Sequence, residues 1–105
     1  MNQNLKTTID VICDKTRTLV NNENPLVLRL TKNRKRKYIA LGISIKPNLW
    51  DFDKNKPKRG YPDKEYLENI ITEIKAKYQR QVLEFQTIGK DYSLIQLVNA
   101  VEKPT

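Results

Sequence analysis

The chain has 105 residues, with 20 lysines and arginines against 12 acids, no histidine, one cysteine and 38% hydrophobic residues. That describes one small folded domain, with at most a fragment of a second, whose core is limited by its size. It excludes a disordered tail, an internal disulfide (Cys13 is alone) and a bilayer span, and the expected setting is reducing and cytoplasmic or nucleoid-associated.

From the N-terminus, Lys6 to Cys13 alternate loosely, with Ile9, Val11 and Cys13 on one side and Thr8, Asp10 and Ile12 on the other, as in a half-buried strand. Asp14 to Asn24 loses the pattern, and Asn21, Asn22, Asn24 and Pro25 mark a connecting loop whose path the sequence does not give. Leu26 to Thr31 and Arg36 to Ile43 read as two further strands joined by a short polar tip. A hairpin centred on Asn33 and Arg34 pairs Leu28 with Ile39 and Leu26 with Leu41 on one face. On the other face it sets Arg29 opposite Tyr38, Thr31 opposite Arg36 and Val27 opposite Ala40. A slip of one residue would put Leu28 among cations, so the pattern specifies the register. Lys37 falls on the apolar face beside Leu30, where its stem lies on the leucine and its ammonium stays wet.

Gly42 interrupts the third strand and suggests a bulge. Pro47 ends the ladder, Trp50 is expected to close one end of the core, and Asp51 to Pro62 read as a mobile loop. A helix follows, with Asp63 as N-cap, Glu65 in its first turn and Gly89 near its C-terminal cap. Its stripe of Leu67, Ile70, Ile71, Ile74, Tyr78, Val82 and Phe85 must be covered, and the leucine face of the sheet is the available cover. Leu94, Leu97, Val98 and Val101 recur at helical spacing in a last short helix, begun by Asp91 or Ser93 and ended by Pro104 and Thr105, with nothing obvious to pack on. These elements make an α+β fold, a three-stranded antiparallel sheet packed on one face by a long C-terminal α-helix.

The net charge of +8 is concentrated, because residues 26–46 hold Arg29, Lys32, Arg34, Lys35, Arg36, Lys37 and Lys46 and no acid. Such a directed electrostatic face favours a polyanion. One helix leaves the second sheet face open, carrying Arg29, Thr31, Arg36 and Tyr38, with Arg34 and Lys35 at the tip. A narrow sheet reads the major groove, where arginine donates two bonds to guanine and threonine or tyrosine contacts phosphate or a thymine methyl. Lysines on edge strands also prevent aggregation, but that needs one or two charges rather than seven. Tyr38 alone is a weak stacking platform for a single strand. Asp51 and Asp53 lack a third metal ligand, so no metal or cofactor is expected. Without histidine, a glycine-rich phosphate loop or a nucleophile beside a base, the domain is expected to bind and not react.

The run RKRKYIALGISI at residues 34–45, then KPNLWD and a long amphipathic helix, resembles the N-terminal arm-binding domain of tyrosine recombinases, the integrases of phages and conjugative transposons. The resemblance covers roughly residues 6–88 and is most distinctive from Lys37 through Gly42 to Asp51. It implies a non-catalytic module whose sheet enters the major groove of arm-type sites during DNA integration and recombination. By position it assigns DNA contact to Arg29, Thr31, Arg34, Lys35, Arg36 and Tyr38. It also implies an arm-type domain over residues 1–90, the start of a core-site-binding helical domain over 91–105, and a catalytic domain outside this chain. The expected partners are double-stranded DNA and, in the full-length protein, other recombinase protomers, with the isolated domain monomeric. Double-stranded RNA binding, which suits a sheet backed by helices with basic loops, and docking of an acidic protein partner are the competing readings.

Overall fold

The computed structural model describes residues 7–102. Lys6, where the first strand is expected to start, and the closing Pro104 and Thr105 lie outside them. Three strands, β1 (Thr8–Cys13), β2 (Asn24–Lys32) and β3 (Lys35–Ile45), form an antiparallel sheet in chain order with β2 at its centre. The central strand is the most apolar, and Leu26, Leu28 and Leu30 are completely buried. Each such side chain contributes roughly 1.5–3 kcal/mol as an upper estimate.

The β2–β3 register agrees with the sequence pattern from Lys32–Lys35 to Val27–Ala40. Beyond that it departs, because Leu26 pairs with Ile43 rather than with Leu41. Leu41 and Gly42 form a bulge, and Gly42 takes the left-handed φ of 74° that a side chain resists. Two extra residues preserve the alternation of faces, so Ile43 still points where Leu41 was expected to.

After a 3-10 turn at Pro47–Leu49, the segment expected to be a mobile loop folds as a second, two-stranded hairpin. Its strands are β4 (Trp50–Asp51) and β5 (Lys56–Pro57), and Asp51 Oδ1 accepts the backbone N–H groups of Asp53 and Lys54 at 3.0 and 3.1 Å. Trp50 and Pro57 are fully buried, and this fixes the hairpin.

Helix α1 (Lys64–Thr87) buries Leu67, Ile71, Tyr78 and Phe85. Asp63 occupies its N-cap without a side-chain capping bond. At the other end Gly89, at φ 70°, closes a Schellman motif through Lys90 N–H to Phe85 O and Gly89 N–H to Gln86 O. Helix α2 (Leu94–Glu102) starts with a capping box in which Ser93 Oγ accepts Gln96 N–H and Gln96 Oε1 accepts Ser93 N–H. It has a bed after all: Leu94 and Leu97 are buried in the same core as the sheet and α1, and Tyr78 Oη donates to Glu102 Oε2 at 2.7 Å. The apolar sheet face is therefore covered by two helices, the long α1 and the short α2.

Candidate nucleic-acid interface

Strand pairing places the predicted residues in rows across the face opposite the helices. One row is Thr8–Thr31–Arg36, the next Asp10–Arg29–Tyr38, and the third Ile12–Val27–Ala40. Tyr38 is 53% exposed, Arg36 is exposed, and Arg29 and Thr31 are half-buried on the central strand. The outer strands are about 10 Å apart at ~4.8 Å per pairing, close to the major groove's width of about 12 Å. Successive rows are about 7 Å apart along the strand, the rise of two base pairs at ~3.4 Å each.

The tip is a two-residue turn in which Asn33 and Arg34 have φ of 55° and 67°. Positive φ at both central positions is the type I′ geometry that matches strand twist. Asparagine tolerates it, whereas arginine is strained there. Arg34 and Lys35 project from the end of the hairpin, both exposed. Between this tip and the start of α2 lies an open cavity of about 540 Å³, lined by Lys35, Arg36, Lys37, Ser93 and Ile95 among others.

Lys32, counted among the clustered cations, does not join them. Its side chain is buried, its Nζ donates to Tyr92 O and to Asp91 Oδ1 (3.1 Å), and it sits 3.6 Å from the Tyr92 ring centre. Tyr92 in turn stacks on Phe85 at 4.8 Å. The hydrogen bond from Lys32, its charge, and the Tyr92 backbone hydrogen bond hold the Asp91 carboxyl below its ordinary value. The anchor was not legible in the charge count because it depends on where α2 docks.

Asp10 is the residue of this face that sequence reasoning passed over. It lies directly opposite Arg29, and its Oδ2 is 3.4 Å from Arg29 Nη2. The β1–β2 loop is too long to fix that pairing from sequence. The loop is pinned at its base, where Asn24 Nδ2 donates to Asp14 O and Arg17 O, while residues 15–22 are exposed. Asp14 accepts hydrogen bonds from the Thr16 hydroxyl and backbone N–H, and these lower its pKa.

A second basic group lies at the sheet end away from the tip. Lys54, Lys56, Lys58, Arg59 and Lys64 line a shallow groove of about 500 Å³. In the same hairpin, the Phe52 ring takes Lys15 Nζ of the β1–β2 loop 4.3 Å from its centre. Cys13 is buried on the core side, where desolvation and then the Asp14 charge raise its thiol pKa. Among the described residues no cluster of three or more potential ligands could hold a metal, and no helix is long and apolar enough to cross a membrane.

A family model described as "Arm DNA-binding domain" matches residues 11–98, most of the chain. Comparison with curated proteins and with solved structures returned no match.

Proposed function

We propose, because this chain belongs to the Arm DNA-binding domain family found at the N-terminus of tyrosine recombinases, that it reads arm-type DNA sites with its open sheet face in the major groove. The observation that carries this reading is the pair of rows Asp10–Arg29–Tyr38 and Thr8–Thr31–Arg36 on a face that neither helix covers. Arg29 and Arg36 are the guanine readers, Thr31 and Tyr38 contact phosphate or a thymine methyl, and Arg34 and Lys35 grip the backbone beyond the groove.

The module is non-catalytic, and its role in a full-length recombinase is to bring the enzyme to its site during integration or excision of a mobile element. Other protomers assemble through parts beyond this domain, which by itself is monomeric in the cytoplasm. The segment from Asp91 onward leads into a core-site-binding helical domain, held to this module by the docking of Leu94 and Leu97.

Selection from random duplexes at about 150 mM salt tests the reading directly. An enriched DNA motif that Arg29→Ala and Arg36→Ala both lose supports it. Among the described residues Arg34, Lys35, Arg36, Lys37 and Lys46 have no acidic partner. If the bound face contacts about five phosphates in all, the slope of log affinity against log salt is roughly −4.5. No enrichment, or stronger competition by duplex RNA than by DNA, refutes the proposal, and equal behaviour of wild type and variants points to an acidic protein partner instead.

A further inference from the structure

We propose that Asp10 is a specificity-determining residue of the DNA face, holding Arg29 as a reader of one guanine and itself accepting the amino group of a neighbouring cytosine. This deepens the major-groove reading above and rests on it.

A carboxylate in the middle of a surface built for a polyanion calls for a reason. The remaining members of the three rows, Thr8, Ile12, Val27, Thr31, Arg36, Tyr38 and Ala40, carry no negative charge. Asp10 therefore brings repulsion of phosphates to the middle row of the face, beside the central-strand arginine. For a face that only clamps the backbone, that arrangement is counterproductive. For a face that reads bases, it is useful in two ways.

The first is orientation. Arginine has five N–H donors in a planar fork, and Asp10 engages it through a single contact, Oδ2 to Nη2 at 3.4 Å. That contact restrains a long side chain, leaves donors free to point out of the sheet, and discourages the guanidinium from swinging to a phosphate. Tyr38, directly across on β3, bounds Arg29 on the other side. Arg29 thus stands between a carboxylate and a ring at the centre of the face.

The second is direct recognition. Both side chains remain accessible, 30% for Arg29 and 31% for Asp10. Arginine pairs with guanine O6 and N7, and aspartate accepts from cytosine N4. Their backbones lie directly opposite on β1 and β2, ~4.5–5.5 Å apart, so both side chains reach the same short stretch of base edges.

The test uses the whole chain, its selected duplex, the full set of single-base-pair variants of that duplex, and one unrelated duplex. Wild type, Asp10→Asn and Arg29→Lys are titrated against all of them at about 150 mM salt, with a thermal melt of each protein. Asp10→Asn is isosteric on a half-exposed edge strand, and Arg29→Lys keeps the charge and the aliphatic stem. Expected for Asp10→Asn is tighter binding to the unrelated duplex and a drop of roughly tenfold in discrimination at one guanine and its neighbour, within the range for a bidentate base contact. Arg29→Lys should lose preference at that same guanine. A merely structural role would move the melt and all positions together.

Unchanged discrimination at every position in Asp10→Asn, or losses at different positions in the two variants, overturns the proposal while leaving the DNA-face reading intact. A wild-type chain that shows no preference among duplexes overturns both.

Discussion

Replacing Arg34 by glycine should make the protein more stable and a poorer DNA binder at once. Arg34 is the second central residue of the β2–β3 turn, at φ 67°. A side chain in this left-handed region costs about 1–2 kcal/mol. Glycine removes that cost but adds about 0.4–1 kcal/mol of conformational entropy to the unfolded chain. At the middle of both ranges the balance is a net stabilisation of about 0.8 kcal/mol, and the resulting Asn-Gly pair is the preferred type I′ sequence. At about 5 °C per kcal/mol for a domain of this size, the melting temperature rises by roughly 3–5 °C. Binding moves the other way, because one cation leaves the tip: the salt slope should fall from roughly −4.5 to about −3.6, with affinity several-fold lower. Thermal melts and salt-dependent titrations measure the two effects separately. Arg34→Asn, which tolerates the backbone but lacks the charge, should match the binding loss with a smaller gain in stability. An unchanged or lower melting temperature in Arg34→Gly refutes the strain argument, and an unchanged salt slope refutes the phosphate contact.

Lys32→Met should cost about 1–3 kcal/mol in chemical denaturation by leaving the Tyr92 carbonyl unpaired, yet leave the salt slope unchanged. A slope reduced by about 0.9 would mean that the ammonium reaches DNA after all. Asp91 has a lowered native pKa, so its contribution is present above the ordinary carboxylate value of about 4 and fades as pH falls through the lowered one. Stability measured across that acid range should therefore depend less steeply on pH in Asp91→Asn. Leu28→Ala, at a fully buried central position, should cost about 2–5 kcal/mol. Gly42→Ala meets no atom within 4 Å and should lose only the left-handed backbone cost of about 1–2 kcal/mol. Urea titrations that rank Gly42→Ala above Leu28→Ala in cost would contradict the packing described.

The sheet and α1 were legible because their signals are local and redundant. Leucines at 26, 28 and 30 must share a face, and a turn at Asn33–Arg34 then fixes the partners of Leu28 and Leu30. The same alternation placed Arg29, Thr31, Arg36 and Tyr38 together on the opposite face. Legibility failed where a short-range signal was real but its consequence was not. Gly42 marked a bulge, yet the two-residue displacement that brings Ile43 opposite Leu26 follows from the paired backbone alone. The β4–β5 hairpin has strands of two residues, too short for any periodicity, and its order comes from the burial of Trp50 and Pro57. Lys32 was misjudged and Asp10 passed over for one reason: each is defined by a partner far along the chain. Lys32 meets Asp91 across 59 positions, and Asp10 meets Arg29 across 19.

Tyr92 gathers the described chain's distant parts, since its hydroxyl meets Thr7 Oγ1, 85 positions away, and its carbonyl holds Lys32. On a ribosome adding ~5–20 residues per second, the 60 positions between Lys32 and Tyr92 take roughly 3–12 s to make. During that interval the β2–β3 hairpin can form within microseconds, but its leucine face has no helices to cover it. Two strands with one apolar side and unpaired edges invite association with other nascent chains. The row of cations on those same strands repels such neighbours until α1 and α2 are synthesised. The charge proposed to meet DNA in the finished domain thus also sets unfinished sheets against one another.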